Sequence, residues 1–436
     1  MKLANFLLQH IKPSKKEIMK ALQLGNMETG KLATKKERLA YLNPYHQDDI
    51  DALTKEMKFR DDDYRVSRKF KEIEGTAISE LQEFLRDRGF MPRGVIDGVY
   101  DYVTQAAVRL FQEYVRKYDN QGDSSIIPNG EVDEYTIPHL ERWQKNKDKM
   151  CEWASWSEEK PTAEYTAWLA LLNKAKTDYS NTPHPILKQI EQFNRATDTR
   201  KVSEWEYKPN KVHLLGIRVA EERSYETREN NDLFILLIKG MVFKFWGSTD
   251  PSAKMAKRSD EAFLVEGQHK YRFGWHNSDY RALKPYSTKY PVGDPKRNGV
   301  LVFRDEDNDN ALTQDDLNKG LDPTPNGTIN IHWSGIGKTN FSAGCQVISG
   351  QSYINHNGEK VDCKQFAGYG NGQLGNGKFT KAAYNVLADL IVCYSNPGVD
   401  HILYTLGRDG SLDLDSFFGV ENYVANTINS MEPKLI

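Results

Sequence analysis

The period of the apolar residues changes once along this chain, near residue 207, and that change limits the fold more than any other feature. Before it, apolar side chains recur three and four residues apart, as in Ile78, Leu81, Phe84 and Leu85, the spacing of one helix face. After it come short β-branched or aromatic runs separated by Gly, Pro, Asn and Asp. These runs are Val212–Val219, Asp232–Ile238, Met241–Trp246, Tyr271–Trp275, Gly299–Phe303 and Thr328–His332. One further helix is expected at Thr380–Tyr394 and a closing strand at His401–Leu406. A helical first half and a strand-rich second half predict a multidomain α+β chain. Its 436 residues leave room for two to four domains at about 150 residues each.

Charge removes two classes of function. The 59 basic side chains are balanced by 61 acidic ones, a net charge of -2. A bulk nucleic-acid binder or a polybasic membrane binder carries a basic excess that this chain lacks. The longest apolar stretches, Ala167–Leu172 and Leu233–Ile238, fall far short of the roughly 18 residues that cross a bilayer. At the N-terminus, Asn5, Gln9 and His10 interrupt the apolar run after Lys2, and no small-x-small cleavage site follows, so no conventional secretory signal is expected. No internal repeat of 20 to 50 residues is visible.

Four segments are expected. Residues 1–65 read as a helical N-terminal region, with Ile18, Leu22 and Leu24 among many charges. Residues 66–145 tighten into a compact unit of three short helices. The first stops at Gly89, which suits a left-handed C-cap. The second carries Val103, Ala107, Val108, Phe111 and Val115 on one face, and the third begins near Asp133. Residues 146–205 read as a helical connector with Trp153, Trp156 and Trp168, broken at Thr182-Pro183-His184-Pro185. Residues 206–436 form the β-rich domain.

The compact unit resembles the three-helix peptidoglycan-binding domain. The resemblance rests on Leu81-Gln82, Leu85, Gly89-Phe90, Asp97-Gly98-Val99-Tyr100, Thr104, Ala107-Val108, Phe111-Gln112, Pro128 to Asp133 and Thr136. It implies non-catalytic attachment to bacterial peptidoglycan, with Gln82, Asp97, Gly98, Tyr100 and Gln112 as the matched residues. Each of these residue types also has a purely structural use: Asp97-Gly98 makes a turn, and the two glutamines tie loops.

The chemistry-bearing segment lies in the β-rich half. The strand Ile329-Asn330-Ile331-His332-Trp333-Ser334 is followed by Ser342-Ala343-Gly344-Cys345-Gln346. A cysteine needs a nearby base or cation to act as thiolate, and His332 is such a base. Ala343 and Gly344 let the backbone approach a substrate closely, so that the N–H groups of Gly344 and Cys345 face a tetrahedral oxyanion. Ser342 either orients the loop or bonds the imidazole. The other cysteines, Cys151, Cys363 and Cys393, read as small buried hydrophobes.

A histidine followed by S-x-G-C on a β-rich domain resembles the L,D-transpeptidase (YkuD-like) catalytic domain, which is frequently joined to a peptidoglycan-binding domain. The resemblance implies that Cys345 attacks a stem-peptide amide to give a thioester while His332 moves protons. An amine then completes transpeptidation, or water completes a carboxypeptidase or endopeptidase cleavage. No cofactor is required. One departure stands out: many family members have arginine two positions after the cysteine, and this chain has Val347. Trp333, Ser334, Ala343, Gln346 and His276 are the expected substrate contacts. A non-catalytic wall-binding or structural role, as in a phage tail or injection device, is the alternative.

An acidic loop precedes the His332 strand. Asp305, Asp307, Asp309, Thr313 and Asp316 stand at positions 1, 3, 5, 9 and 12, which suits calcium, although Asn310 takes the usual glycine position and Asp316 replaces glutamate. The expected site of action is the periplasm or cell wall, reached without a conventional signal by a phage particle or a specialised secretion system.

Overall fold

The computed structural model describes residues 22–31, 71–119, 125–219, 229–252, 261–276, 280–306, 312–368, 373–374, 377–378, 380–396 and 399–432. The chain divides into two compact units, one of residues 1–157 with 370–380 and 385–397, the other of residues 158–369 with 381–384 and 398–436.

The first unit is built on three helices, α1 (Ala77–Asp87), α2 (Tyr102–Lys117) and α3 (Ile137–Lys145). Gly89 has φ +82° and follows the end of α1, where the Phe90 N–H bonds back to the Leu85 carbonyl, the cap expected from the sequence. Asp101 caps α2 by accepting from the Thr104 N–H at 2.8 Å. Phe90, Phe111, Tyr114, Trp143 and Trp153 meet mostly edge to face, with ring centroids 5.3–5.7 Å apart, and form the core.

This unit draws on more of the chain than 66–145. Residues 22–31, expected to be helical, instead contain strand β1 (Asn26–Glu28), which pairs in parallel with β2 (Lys71–Ile73). Leu22 bridges to Val132 and Met27 to Val99, so this short strand is stitched onto the helical core. The remaining residues of the expected N-terminal helical region, 1–21 and 32–65, lie outside the described residues. From far down the chain, the helix Ala383–Tyr394 (α4) contributes its residues from Asn385 onward. There Asp389, 2% exposed, takes a two-pronged ion pair from Arg109 at 2.6 and 2.7 Å, and the Tyr394 hydroxyl donates to the Gly89 carbonyl.

The unit also holds an internal repeat that the sequence conceals. Gln82 Nε2 donates to Asp97 Oδ1, the Val99 carbonyl and Thr104 Oγ1, while its Oε1 accepts from the Gly98 N–H. Gln112 does the same to Asn129 Oδ1, the Glu131 carbonyl and Thr136 Oγ1, and accepts from the Gly130 N–H. Asp101 and Asp133 bond Thr104 and Thr136 alike.

The second unit is a closed barrel. Its strands are β4 (His213–Arg218), β5 (Asp232–Ile238), β6 (Met241–Ser248), β8 (Gly267–His276), β9 (Tyr280–Pro285), β11 (Ile331–Trp333), β12 (Gln346–Ile348) and β17 (Ile402–Arg408), with β3 (Thr199–Arg200), β7 (Ala262–Leu264), β10 (Val302–Arg304), β13 (Ser352–Ile354) and β14 (Lys360–Asp362) outside the ring. In the first unit, β15 (Gln373–Leu374) and β16 (Gly377–Lys378) form a small antiparallel pair. The ring runs β12-β11-β9-β8-β17-β4-β5-β6 and closes where β6 pairs with β12, giving eight strands without a free edge. The expected closing strand, 401–406, is therefore an inner member, parallel to β4 and antiparallel to β8.

Strand β5 is buried along its whole length because both faces are covered. Leu233, Ile235 and Leu237 face outward, beneath Tyr165, Trp168, Leu169 and Leu172 of the helix Ala163–Asn181. The expected connector is thus split: residues up to 157 pack in the first unit, and its longest helix belongs to the barrel's own core.

Candidate active site

Strand register brings the cysteine and the histidine to one face. Strands β11 and β12 pair in parallel, Ile331 against Gln346 and His332 against Val347. Side chains alternate along a strand, so His332 and Cys345 both point away from the barrel interior, to which Ile331 and Gln346 turn. Among the four cysteines, all free, Cys345 alone is not buried. The Asn330 N–H donates to its Sγ at 3.3 Å, and the thiol points to the Thr328 carbonyl at 3.4 Å.

His332 Nδ1 lies 2.8 Å from the Trp333 carbonyl oxygen. A carbonyl only accepts, so Nδ1 carries the proton and Nε2 is the unprotonated nitrogen of the neutral ring. The ring stacks on His276, with centroids 4.0 Å apart and planes 27° apart, and His276 Nδ1 accepts from Asn330 Nδ2 at 3.3 Å. Burial and the neighbouring His276 hold His332 down at about 3. Burial pushes the Cys345 thiol up, against the Asn330 N–H, the Ser342 hydroxyl and the Lys284 charge. At neutral pH, Cys345 therefore rests as a thiol and His332 as a neutral imidazole, on the same face of the paired strands.

The loop before the thiol is tightly held. Ser342 Oγ donates to the Cys345 carbonyl at 2.7 Å and accepts from the Gly344 N–H at 3.1 Å, so Ser342 orients the loop. This corrects one expectation: the Gly344 N–H is already bonded, and of the two expected oxyanion donors the Cys345 N–H remains without a partner among the described residues. Gly344 has φ +130°, and a Cβ there would stand 2.7 Å from the Ala262 carbonyl oxygen. Asn340 ties the same loop to the end of β6 through Ser248 and the Asp250 carbonyl.

The expected substrate contacts divide. His276, Trp333 and Ala343 are all partly exposed, and of the three His276 is the one stacked on His332, while alternation turns Trp333 to the opposite face of its strand. Gln346 is a second correction: it is fully buried inside the barrel, bonded to Tyr404 and Thr249, because alternation sends it opposite to Cys345. Ser334 is 7% exposed and accepts from Asn230 at 3.0 Å, which leaves it a loop anchor. Asn330, which the sequence did not single out, touches both the thiol and His276.

In the first unit, Gln82, Tyr100 and Gln112 are at most 1% exposed, and both glutamines have their amides filled by the bonds described above. Their side chains build the fold. Gly98 stands against the Glu28 carboxylate, and Asp97, partly exposed, has its carboxyl pushed up to about 7 by burial. Of the acidic loop, Asp307 and Asp309 lie outside the described residues. Thr313 and Asp316 form a capping box for the helix Gln314–Lys319, and Asp305 is buried. No group of three or more His, Cys, Asp or Glu among the described residues is arranged to hold a metal.

Residues 74–116 match the family model described as a putative peptidoglycan binding domain. The match spans α1, the Asp97–Gly98 loop and most of α2, which is the first half of the internal repeat. Comparison with curated proteins and with solved structures returns no match. No helix among the described residues is long and apolar enough to cross a membrane.

Proposed function

We propose that this protein is a cysteine acyl-transfer enzyme of the L,D-transpeptidase type, attached to its substrate, peptidoglycan, by the first unit. A wall-binding domain in the same chain supports the substrate class. The observation that carries the chemistry is the outward-facing Cys345 on the same face as His332, whose Nδ1 is tied to a carbonyl and whose Nε2 is unprotonated.

His332 Nε2 takes the thiol proton as Sγ attacks a stem-peptide amide carbon. The carbonyl oxygen becomes an oxyanion facing the Cys345 N–H. On collapse the C–N bond breaks, the imidazolium returns its proton to the leaving amine, and a thioester remains. An amine closes a new cross-link, or water, deprotonated by the same imidazole, releases the acid and the thiol. Asn330 and His276 hold the imidazole and the thiol in place. The substrate lies outside the cytoplasmic membrane, and the protein acts there.

The test is incubation of purified peptidoglycan with the parent, Cys345→Ala and His332→Ala proteins, followed by mass analysis of the released fragments. The parent alters the fragments and neither variant does; new dimers mark transpeptidation, and shortened stems mark hydrolysis. If Cys345→Ala acts like the parent, the Cys345 mechanism fails; if the parent leaves peptidoglycan unchanged, the second unit is a binding module instead.

A further inference from the structure

Polar side chains meet inside the barrel, where apolar ones would pack at lower cost. Arg218, Asp232, Thr249 and Gln346 are all buried there. The Thr249 carbonyl accepts from Arg218 Nη2 at 3.0 Å and from Gln346 Nε2 at 3.1 Å. Asp232 Oδ2 in turn accepts from the Thr249 N–H and hydroxyl, at 2.7 and 2.8 Å. The Tyr404 hydroxyl donates to Gln346 Oε1 at 3.0 Å. That hydroxyl fits only because residue 216 in mid-β4 is glycine; a Cβ there would lie 2.1 Å from the phenol oxygen.

The cluster ends at the nucleophile. Gln346 follows Cys345, and its Nε2 also reaches the Gly344 carbonyl, at 3.4 Å. Its backbone N–H bonds the Asn330 carbonyl at 2.9 Å, in the residue whose own N–H contacts the thiol. One buried residue therefore holds the backbone on both sides of Cys345, through its side chain at the Gly344 carbonyl and through its own N–H at Asn330. Nothing in barrel closure requires an amide at this position, since the neighbouring interior position, Ile331, is aliphatic.

We infer that Gln346, held by Tyr404 above Gly216, is a positioning residue that fixes the Cys345 backbone for attack. The inference rests on the reading of Cys345 as the nucleophile. Tyr404 acts only through Gln346, which makes the effects of the two side chains non-additive.

The test uses the full chain with Tyr404→Phe, Gln346→Leu and the double variant. Turnover of soluble peptidoglycan fragments is split into kcat and KM, and alkylation of Cys345 by iodoacetamide is followed at pH 7. Loss of one buried hydrogen bond in Tyr404→Phe lowers kcat about tenfold at unchanged KM. Gln346→Leu lowers it further, and the double variant equals Gln346→Leu alone. Alkylation quickens in each variant, because a loosened thiol gains water, so small-reagent reactivity rises as turnover falls. Additive losses, or parental kcat in folded Tyr404→Phe protein, overturn the inference. If the parent shows no turnover, the proposed reaction fails by itself, and alkylation still decides: an unchanged rate in both variants overturns the positioning role.

Discussion

The imidazole of His332 lies stacked on that of His276, with ring centroids 4.0 Å apart. Two protonated rings at that distance repel, so His276 adds to burial in keeping His332 neutral down to about 3. His276→Phe keeps a stacked ring and removes the charge. The His332 midpoint, followed by NMR of its ring protons, is expected to rise from about 3 toward the ordinary histidine value. An unchanged midpoint would show that burial alone sets it.

Gly344→Ala tests the loop. A side chain there meets the Ala262 carbonyl and must adopt φ +130°. The expected cost is about 1–3 kcal/mol of stability, read by denaturant unfolding, together with loss of peptidoglycan turnover. Full stability in the variant would mean that the loop is not confined as described.

The two glutamines of the first unit offer a paired test. Gln82→Leu and Gln112→Leu each leave buried loop N–H groups without an acceptor. Each is expected to cost about 1–3 kcal/mol in thermal unfolding, with wall binding lost only as the unit unfolds. A folded variant that no longer binds peptidoglycan would instead assign the side chain to the ligand.

His269 supplies a pH signature. It is fully buried, bonded to the Val265 carbonyl and Thr199, and burial holds it down at about 3. Between the ordinary value of 6.5 and about 3, the unfolded chain takes up a proton that the folded chain refuses. The unfolded state binds more protons in that window, so His269 makes stability fall as pH drops through 6.5. His269→Gln removes this contribution, and its stability is expected to decline less steeply than the parent's across the window. Parallel curves would contradict the buried neutral state.

Much of this was legible in the residues. Asp232–Ile238 appears as a strand with the expected ends, since a short apolar run bounded by turn residues leaves little choice. The Cys345 and His332 pair was visible as a spacing. Its support was not, because Asn330 reaches the thiol across the β11–β12 pair, and Tyr404 meets Gly216 across the pairing of β17 with β4, strands far apart in sequence. Gln346 was misassigned for want of a face, although strand alternation beside an outward Cys345 already turned it inward. The internal repeat stayed hidden because the bonded positions of its two halves share little beyond one glutamine, one glycine, one aspartate and one threonine. Strand β1 was missed because a three-residue pairing leaves no periodicity to read.

The most direct measurement is the intact mass of the full chain after brief mixing with soluble peptidoglycan fragments and acid quenching. The account predicts an added stem-peptide acyl mass on the parent, mapped to Cys345, sensitive to hydroxylamine and absent from Cys345→Ala. Altered fragments without any adduct, or an adduct that persists in Cys345→Ala, would contradict it.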